Sequence, residues 1–266
     1  MHKQHLISIQ LSLGSYSQFC QEIARLCKCS RSEYVCVANV HMLVEAQKDK
    51  EFADIVNNAV ITTPDGLPLT WGLRLLYGIK QDRVAGMDLL PDLLSSASQN
   101  QISIFFYGGT DDVLTKTELY VKQYYPDIPL TGFYSPPFRA LTTEETDEIV
   151  EKINGSRARL VFVSLGCPKQ EKWMSSMKGR INAVMIGIGA ALPVLVGEQG
   201  RAPKWMQKKG MEWLYRLIQE PGRLWKRYLV TNTIYICILV REIISTAKNY
   251  MKPSNKNQLN GHRNHW

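Results

Sequence analysis

Short apolar segments and helical patterns alternate along the first 200 residues of the chain. The apolar segments are rich in β-branched and aromatic residues and are bounded by glycine, proline or asparagine, which is typical of buried strands in a parallel sheet. They predict strands, some ending in a glycine turn, at residues 6–9, 34–38, 60–63, 102–109, 128–133, 160–166 and 183–189. This alternation favours an α/β fold in which helices cover both faces of a mostly parallel sheet.

The helices between these strands are indicated by apolar residues at three- and four-residue spacing and by capping residues. Ser15 and Gln18 form a capping-box pattern ahead of an apolar stripe that runs from Phe19 to Cys27. Further helices are predicted around 42–46, 52–56 and 69–77, over 89–97 with Asp88 as its cap, from near Thr110, from Thr142 or Thr143 to about Asn154, and over 169–177.

The pattern changes after Gly200, where Trp, Leu and Arg become frequent and Pro221 can occupy the first turn of the last helix. We therefore predict an α/β core (1–200), a basic helical appendage (201–248) and a polar tail (249–266) that is disordered. The longest apolar run extends from Tyr228 to Val240 and contains three polar residues. It is predicted to be too short and too polar to cross a bilayer.

The positive charge of the chain is concentrated in this C-terminal part. Residues 1–200 contain 19 Lys and Arg against 21 Asp and Glu, whereas residues 201–266 contain 13 against 3. The formal charge of +8 thus comes from a basic segment attached to a nearly neutral body. Such a segment is expected to meet an acidic partner, which can be a phosphate, a nucleic acid or an anionic lipid.

Composition and cysteine spacing restrict the class of protein. The 45% hydrophobic and 21% charged residues are those of a folded globular protein. The six cysteines form no CxxC pair and no histidines have zinc spacing, which predicts a reducing compartment without disulfides. The first residues show no apolar region of signal-peptide length, so we expect a cytoplasmic protein. The oligomeric state stays open, a homo-oligomer included.

Asp65 is the candidate for the reactive group. It follows the predicted strand 60–63 and Pro64, which cannot donate to a sheet ladder and therefore closes the strand. The carboxylate is thus expected at the carboxyl edge of the sheet, where α/β folds bind ligands. The alternative is that Asp65 only caps the helix that follows Gly66.

Glycine turns end three of the predicted strands. Glycine allows backbone N–H groups to approach a phosphate, and the next helix offers its positive end. Three such turns in one sheet favour a nucleotide along its carboxyl edge, although tight packing between strand and helix explains them as well. The third glycine of a dinucleotide fingerprint is missing after Gly189, which disfavours an NAD-dependent oxidoreductase. The turns are Tyr107-Gly108-Gly109, Leu165-Gly166-Cys167-Pro168 and Gly187-Ile188-Gly189.

The segment from Pro168 to Trp173 places polar groups in the first turn of a helix. Lys169 can neutralise a diphosphate and Gln170 can bond a sugar hydroxyl, or the segment is a solvated helix start in which Glu171 serves the helix dipole. The chain has no Asp-x-Asp, P-loop or Ser-His-Asp arrangement. We therefore predict neither a metal nor a cofactor.

The appendage mixes aromatic and basic residues, among them Trp213, Trp225, Arg223 and Arg227. Such mixtures bind nucleic acids, but they also suit a membrane interface, and some of the aromatic residues are expected to pack within a helical subdomain. The apolar run beside them favours the membrane.

A series of short motifs runs in order along the chain. They are Asn39 with Met42-Leu43 and Ala46-Gln47, Pro64-Asp65-Gly66, Arg83-Val84-Ala85-Gly86-Met87-Asp88, the turns at Gly108, Gly166 and Gly187, the run Pro168 to Glu171, Arg201-Ala202-Pro203-Lys204-Trp205, Glu212-Trp213-Leu214-Tyr215-Arg216, and Glu220-Pro221. Through these motifs the chain resembles the WecG/TagA/CpsF family, glycosyltransferase family 26, over about residues 5–240. The number of ordered motifs makes chance agreement improbable.

This resemblance implies a Rossmann-like core whose appendage contacts the cytoplasmic side of the cell membrane. It implies inverting, metal-independent transfer of a hexose from a UDP-sugar to a polyprenyl-diphosphate-linked sugar. The product is expected to belong to a cell-surface polysaccharide or a teichoic-acid-type linkage. Asp65 then corresponds to the proposed general base, with Asn39, Arg83 and Gln170 beside it and Arg216 and Arg223 on the appendage. We add Arg227 of the same appendage as a candidate for binding the diphosphate. The UDP-sugar is expected at Tyr107, Gly108, Gly109, Gly166, Pro168, Lys169, Glu171, Gly187 and Gly189.

Two departures from the family pattern leave the donor sugar open. Val37 stands where the family often has Thr, and Leu192-Pro193 where it often has Phe-Asp. N-acetylmannosamine, its uronic acid and glucose are all donors among similar enzymes. A nucleic-acid-binding module that uses the basic segment is the alternative from another class. Its binding to plain DNA would be sensitive to salt and independent of any UDP-sugar.

Overall fold

A computed structural model describes residues 1–29 and 31–251 of the 266-residue chain. Residues 249–251 of the predicted disordered tail are helical, and the rest of that prediction, from 252 onward, lies outside the described residues. Eight strands form within these residues: β1 (Lys3–Leu6), β2 (Ile9–Ser12), β3 (Glu33–Ala38), β4 (Ile61–Pro64), β5 (Ile104–Gly108), β6 (Leu130–Tyr134), β7 (Leu160–Ser164) and β8 (Val184–Gly187).

The same residues form twelve helices: α1 (Tyr16–Lys28), α2 (Val40–Lys48), α3 (Lys50–Asn57), α4 (Leu67–Tyr77), α5 (Gly86–Asn100), α6 (Asp111–Tyr124), α7 (Thr143–Gly155), α8 (Lys169–Met177), α9 (Ala191–Leu195), α10 (Lys204–Lys208), α11 (Glu212–Gln219) and α12 (Pro221–Met251). The predicted capping box at Ser15 and the predicted caps at Thr110 and Thr142 are confirmed by side-chain bonds to the helix backbone.

Six parallel strands form the central sheet in the order β4-β3-β8-β7-β5-β6. The pairing is in register up to the carboxyl ends, where Ala38 faces Pro64 and Val163 faces Gly187. Because all six strands point the same way, the segments that follow β4, β3, β8 and β7 meet at one edge of the sheet. The predicted α/β fold with a mostly parallel sheet is thus confirmed.

Both faces of the sheet are buried. Side chains of α2, α3, α7 and α8 form the core on one face, and those of α1, α5, α6 and α9 form the core on the other. This double cover explains why the strands are continuous apolar runs in the sequence, since alternate side chains of each strand enter different cores. The carboxyl edge of the sheet is therefore held rigidly from both sides.

Two local predictions are wrong. Residues 6–9 are not one strand, because Ile7 and Ser8 turn the chain between β1 and β2, and Leu6 then pairs with Ile9 in an antiparallel hairpin. Asp88 does not cap a helix, because α5 begins earlier, at Gly86, and Ala85 is its cap residue without a side-chain bond. Asp88 lies in the first turn, where its carboxylate is available to arginine side chains.

The appendage packs against the core through α12. Leu224, Thr231 and Tyr235 are buried on the inner side of this helix, which contacts α2 and α4. The Tyr235 hydroxyl donates to the carbonyl oxygen of Pro68 at 2.6 Å. The chain is not helical at Glu220, so Arg216 and Arg223 belong to two separate helices rather than to one continuous face.

The C-terminal helix is longer than its apolar run suggests. Over Pro221–Thr246 it is long and apolar enough to cross a membrane, by length and composition alone. The prediction that the run from Tyr228 to Val240 is too short to cross a bilayer is therefore wrong, because the helix continues on both sides of this run.

Candidate active site

A cavity of about 430 Å³ lies between the carboxyl edge of the sheet and the appendage. The ends of β4, β3, β8 and β7 form its floor, and α11 and α12 form the opposite wall. Its volume is in the range of small-molecule sites. Seven of the residues predicted to bind or react with substrate in the core line it: Asn39, Asp65, Arg83, Gly166, Gln170, Gly187 and Gly189.

Asp65 stands directly after β4. Its backbone N–H donates to the carbonyl oxygen of Ala38 at 2.8 Å, which continues the ladder between β3 and β4 by one residue. Gly66 is the cap residue of α4, and this helix has no side-chain cap bond. Asp65 therefore does not cap the helix. Its carboxylate faces the cavity.

The surroundings of Asp65 raise its pKa to about 6. Desolvation by burial is the largest cause, and the carboxylates of Glu212 and Asp88 act in the same direction, while Arg83 and Arg216 act against it. A carboxyl group with a pKa near 6 is ionised at neutral pH, yet it binds a proton more readily than an ordinary aspartate. This is the property of a general base.

Arg83 connects Asp65 to other charged groups of the cavity. Its Nε donates to the backbone carbonyl oxygen of Asp65 at 2.8 Å. Its Nη2 forms an ion pair with Glu212 of α11 and lies 3.8 Å from Asp88, which is also paired with Arg201. With 17% of its side chain exposed, the guanidinium is held by three oxygen-bearing partners.

The end of β3 contributes Asn39 and, two residues later, His41. The Asn39 side-chain oxygen accepts from the N–H of Met42 at 3.1 Å, so this residue caps α2 while it lines the cavity. The Nδ1 atom of His41 is buried and has no hydrogen-bond partner among the described residues. Burial first, and then the charge of Arg227, lower the pKa of His41, so the imidazole is neutral at physiological pH.

The turns after β7 and β8 enclose Gln170. Its Oε1 accepts from the N–H of Gly166 at 3.1 Å, and its Nε2 donates to Glu171 at 2.7 Å. A Cβ atom on Gly187 would stand 2.7 Å from this Nε2, so the position has no room for a side chain. Gly187 therefore serves close packing around the Gln170 amide, in a wall that a ligand can reach.

Six predicted substrate-binding residues are not on the cavity wall. Tyr107 is buried in a stack with Trp173, at 4.0 Å between ring centroids, and Lys169 is exposed. Glu171 is buried behind Gln170, and its pKa is raised to about 7 by desolvation. A Cβ on Gly108 would meet the Ser164 carbonyl oxygen at 2.6 Å, which is the packing alternative for that turn. The residues outside the wall are Tyr107, Gly108, Gly109, Pro168, Lys169 and Glu171.

The three predicted arginines of the appendage face the same cavity. Arg216 extends from α11, and Arg223 and Arg227 extend from the first two turns of α12. Arg223 forms an ion pair with Glu220. Arg227 lies over the Tyr228 ring at 5.4 Å, and its Nε is buried with no hydrogen-bond partner in the described part of the chain. Guanidinium groups gathered in this way suit a phosphate or diphosphate.

Sequence reasoning did not assign site roles to several lining residues. His41 and Glu212 are the most polar of these, and Thr231 and Asn232 enter the cavity from α12. The sequence did contain a signal for Thr231 and Asn232, which interrupt an apolar run. Such interruptions are expected where a helix packs against a polar site. The described residues contain no group of three or more His, Cys, Asp or Glu side chains that could hold a metal ion.

The outer side of the appendage is apolar. Its exposed side chains, which we call the apolar face, are joined by two residues of the neighbouring α4. Leu229 is 62% exposed and Ile236 is 57% exposed. Large apolar side chains that are exposed together on one surface are typical of a contact site for another molecule or a membrane. The apolar face comprises Trp71, Leu75, Trp213, Trp225, Leu229, Ile236, Val240 and Ile244.

Comparison with known proteins gives consistent matches over most of the chain. The model of the glycosyl transferase WecG/TagA/CpsF family matches residues 4–249. The N-acetylglucosaminyldiphosphoundecaprenol N-acetyl-beta-D-mannosaminyltransferase of Bacillus subtilis strain 168 is 32% identical over 209 residues, which are 78% of this chain and 79% of that protein. The enzyme of the same name from Bacillus spizizenii strain W23 is 30% identical over 222 residues, 83% of this chain and 84% of that one.

Proposed function

Because the chain belongs to the WecG/TagA/CpsF family of glycosyltransferases, we propose that it moves N-acetylmannosamine from UDP to N-acetylglucosamine on a polyprenyl diphosphate. The names of the two Bacillus relatives give this sugar and this acceptor for those proteins. The observation that carries the proposal is a carboxylate with a raised pKa, Asp65, facing three arginines across one cavity. A sugar diphosphate fits that pairing of a base with a cationic wall.

Asp65 is the general base in this proposal. The acceptor hydroxyl oxygen attacks the anomeric carbon, its proton passes to the Asp65 carboxylate, and the bond from that carbon to the diphosphate oxygen breaks. UDP leaves with the electron pair of this bond. A single displacement inverts the anomeric centre, so an α-linked donor gives the β linkage that the names of the relatives contain.

The arginines of the appendage stabilise the departing UDP. Arg83 is engaged by Glu212, Asp88 and the Asp65 carbonyl, so most of the charge for the diphosphate is proposed to come from the appendage. It comes from Arg216, Arg227 and the more exposed Arg223, which also pairs with Glu220. Fixed guanidinium groups can offset developing charge in the way a divalent cation does in other transferases. A metal-independent reaction is therefore the form we propose.

The walls of the cavity also contain the two positions at which the chain departs from the family pattern. Val37 and Pro193 both line the cavity, while Leu192 is buried behind it. An apolar residue at 37 removes a hydroxyl that could bond the donor, so these side chains are candidates for distinguishing N-acetylmannosamine from its uronic acid and from glucose.

The protein is proposed to bind the cytoplasmic membrane surface peripherally. The polyprenyl chain of the acceptor is confined to the bilayer, and the apolar face with its neighbouring cations can lie at headgroup level. Although α12 is long enough to span, Leu224, Thr231 and Tyr235 pack on the core, and Arg223 and Arg227 line the cavity. A spanning helix would have to give up both sets of contacts.

The arrangement of the arginines disfavours a nucleic-acid module. Arg216, Arg223 and Arg227 converge on a cavity that a duplex cannot enter, rather than forming an exposed stripe. Nor does any observation of the site favour hydride transfer over glycosyl transfer.

The proposed function is tested by measuring UDP release. The purified protein is offered UDP-N-acetylmannosamine, the corresponding uronic acid and UDP-glucose, each with a short polyprenyl-diphosphate-linked N-acetylglucosamine or glucose. Turnover is expected with N-acetylmannosamine and the N-acetylglucosamine acceptor, and product analysis should show a β linkage. Acceptor-dependent turnover with only another donor would correct the sugar, and no turnover with any pair would reject the proposal.

A further inference from the structure

Glu212 is an acidic residue in the wall that otherwise supplies positive charge. It begins α11, its side chain is 18% exposed, and it lines the cavity opposite the end of β4. One carboxylate oxygen forms the ion pair with Arg83. The other, Oε1, is buried and has no hydrogen-bond partner within the described residues. Half of this carboxylate is therefore left uncompensated inside the site.

A continuous chain of contacts leads from Glu212 to Asp65. Arg83 pairs with Glu212 through Nη2 and donates through Nε to the carbonyl oxygen of Asp65 at 2.8 Å. The guanidinium is thus fixed at both ends, by a side chain of the appendage and by the backbone of the core. Removal of Glu212 would leave Asp88, at 3.8 Å, as the remaining acidic partner of Arg83.

Four charged groups surround the Asp65 carboxyl, and they come from three segments. Arg83 precedes α5, Asp88 is in α5, and Glu212 and Arg216 are in α11. The last two are four residues apart and so share a face of their helix. The two acids favour the protonated form of Asp65, and the two arginines favour the ionised form.

We propose that Glu212 is a positioning residue, through which the appendage fixes Arg83 and sets the pH range in which Asp65 works as the base. The inference rests on the proposed role of Asp65. Its consequence is that docking of the appendage supplies a negative charge to the base as well as positive charges to the diphosphate. The base then keeps enough proton affinity although arginines surround it.

The test compares Glu212→Gln with wild type and with a matched control, Glu198→Gln. Glu198 is a partly exposed glutamate near α9 that is paired with Lys116 and does not line the cavity. The acidic limb of kcat/KM is expected to move to lower pH by about one unit in Glu212→Gln, since a nearby like charge is lost. The acidic limb should stay at its wild-type pH in Glu198→Gln. In Glu212→Asp it should lie between the wild-type position and that of Glu212→Gln, because a carboxylate is still present.

A carbon-13 NMR titration of the Asp65 carboxyl group provides a second measurement that needs no turnover. The same downward shift is expected in Glu212→Gln, and an upward shift in Arg216→Gln, because the two residues act with opposite sign. An acidic limb and a titration that stay at the wild-type position in a folded Glu212→Gln protein would overturn the inference. Absence of transfer by wild type would instead reject the proposed function, and the titration would still decide the role of Glu212. If Glu212→Gln does not fold, Glu212→Asp carries the test, because its shorter side chain draws the carboxylate away from Arg83 and Asp65. A downward shift smaller than in Glu212→Gln is then expected, and no shift would overturn the inference.

Discussion

The core and the appendage build opposite walls of one cavity by different means. The core contributes Asp65 from the end of a buried strand, held by a ladder hydrogen bond and by two packed cores. The appendage contributes arginines from helices whose outer sides are exposed and apolar. In the proposed reaction, the general base thus depends on a rigid sheet, while the positive charge for the leaving group comes from helices that are also proposed to contact the bilayer. Variants of the two walls should therefore fail in different ways.

The largest effect is expected on the core side, in Asp65→Asn. Turnover should fall about 10²-fold or more because the amide cannot accept the proton. UDP binding and folding should be retained, and the melting temperature at pH 7 should not fall, since the ionised carboxyl is disfavoured by burial. Steady-state kinetics, UDP titration and thermal melts check this, with the exposed Asp127→Asn as control. Near-normal turnover in Asp65→Asn would reject its role as base.

On the appendage side, Arg216→Ala and Arg223→Ala should each reduce turnover by about tenfold or more, because each removes charge beside the diphosphate. Liposome binding should change much less, since other cations remain on the appendage. Co-sedimentation with anionic vesicles and turnover are measured in parallel. Lys226→Ala, which removes an exposed cation that does not line the cavity, is the control. Equal losses in both measurements would show that these arginines serve membrane attachment only.

The pH dependence sharpens the comparison further. The pKa of Asp65 is raised to about 6, so the base is ionised above this pH and becomes protonated below it. Below pH 6, kcat/KM should therefore fall by about tenfold for each unit. The measurement is a pH profile with a short, water-soluble acceptor, which removes membrane effects. A flat profile between pH 7 and pH 5 would contradict the assignment.

A smaller and more selective effect is expected from the apolar face. Replacing Leu229 and Ile236 together by Ser should weaken binding to vesicles severalfold, because it removes apolar area from the interface. Turnover of a short, water-soluble acceptor should stay near wild type. Leu119→Ser, an exposed leucine on α6 away from the cavity, is the matched control. Unchanged vesicle binding in the double variant would place the membrane contact elsewhere.

No effect is expected from removal of divalent metal ions. Turnover in excess EDTA should equal turnover without it, because guanidinium groups are proposed to act where a cation otherwise would. Loss of activity that Mn²⁺ or Mg²⁺ restores would show that the arginine wall is insufficient.

The sequence was most informative about the sheet. Strand ends and the residues just after them follow from apolar runs and from Pro64 and Asn39, because a parallel sheet forces these positions to one edge. It could not distinguish equivalent glycine turns. Gly108 and Gly187 look alike in the sequence, but only Gly187 lies on the cavity wall, because the strand order places β8 in the site and β5 beyond it.

Contacts between distant segments were not accessible from local patterns. Nothing near Arg83 indicates that Glu212 pairs with it, since that contact depends on how α11 docks on the core. The start of α8 posed a similar problem, because the sequence does not show which side of the helix Lys169 and Gln170 face. These neighbours are equally polar in the sequence, but Gln170 turns inward to the glycine turns while Lys169 faces outward. The predicted division into core, appendage and tail stays a prediction.

The hydrogen bond from Tyr235 to Pro68 connects α12 mechanically to the segment that follows Asp65. Pro68 is three residues after Asp65, and Gly72 leaves room for the Tyr235 hydroxyl, so the helix is anchored close to the base. A helix of 31 residues is about 45 Å long, so a small tilt imposed along its length produces a torque at this anchor. With the helix on the bilayer as proposed, bilayer curvature would act through this anchor on the loop that contains Asp65. We expect turnover to differ between small, strongly curved vesicles and large ones of the same lipid composition, and Tyr235→Phe to reduce that difference.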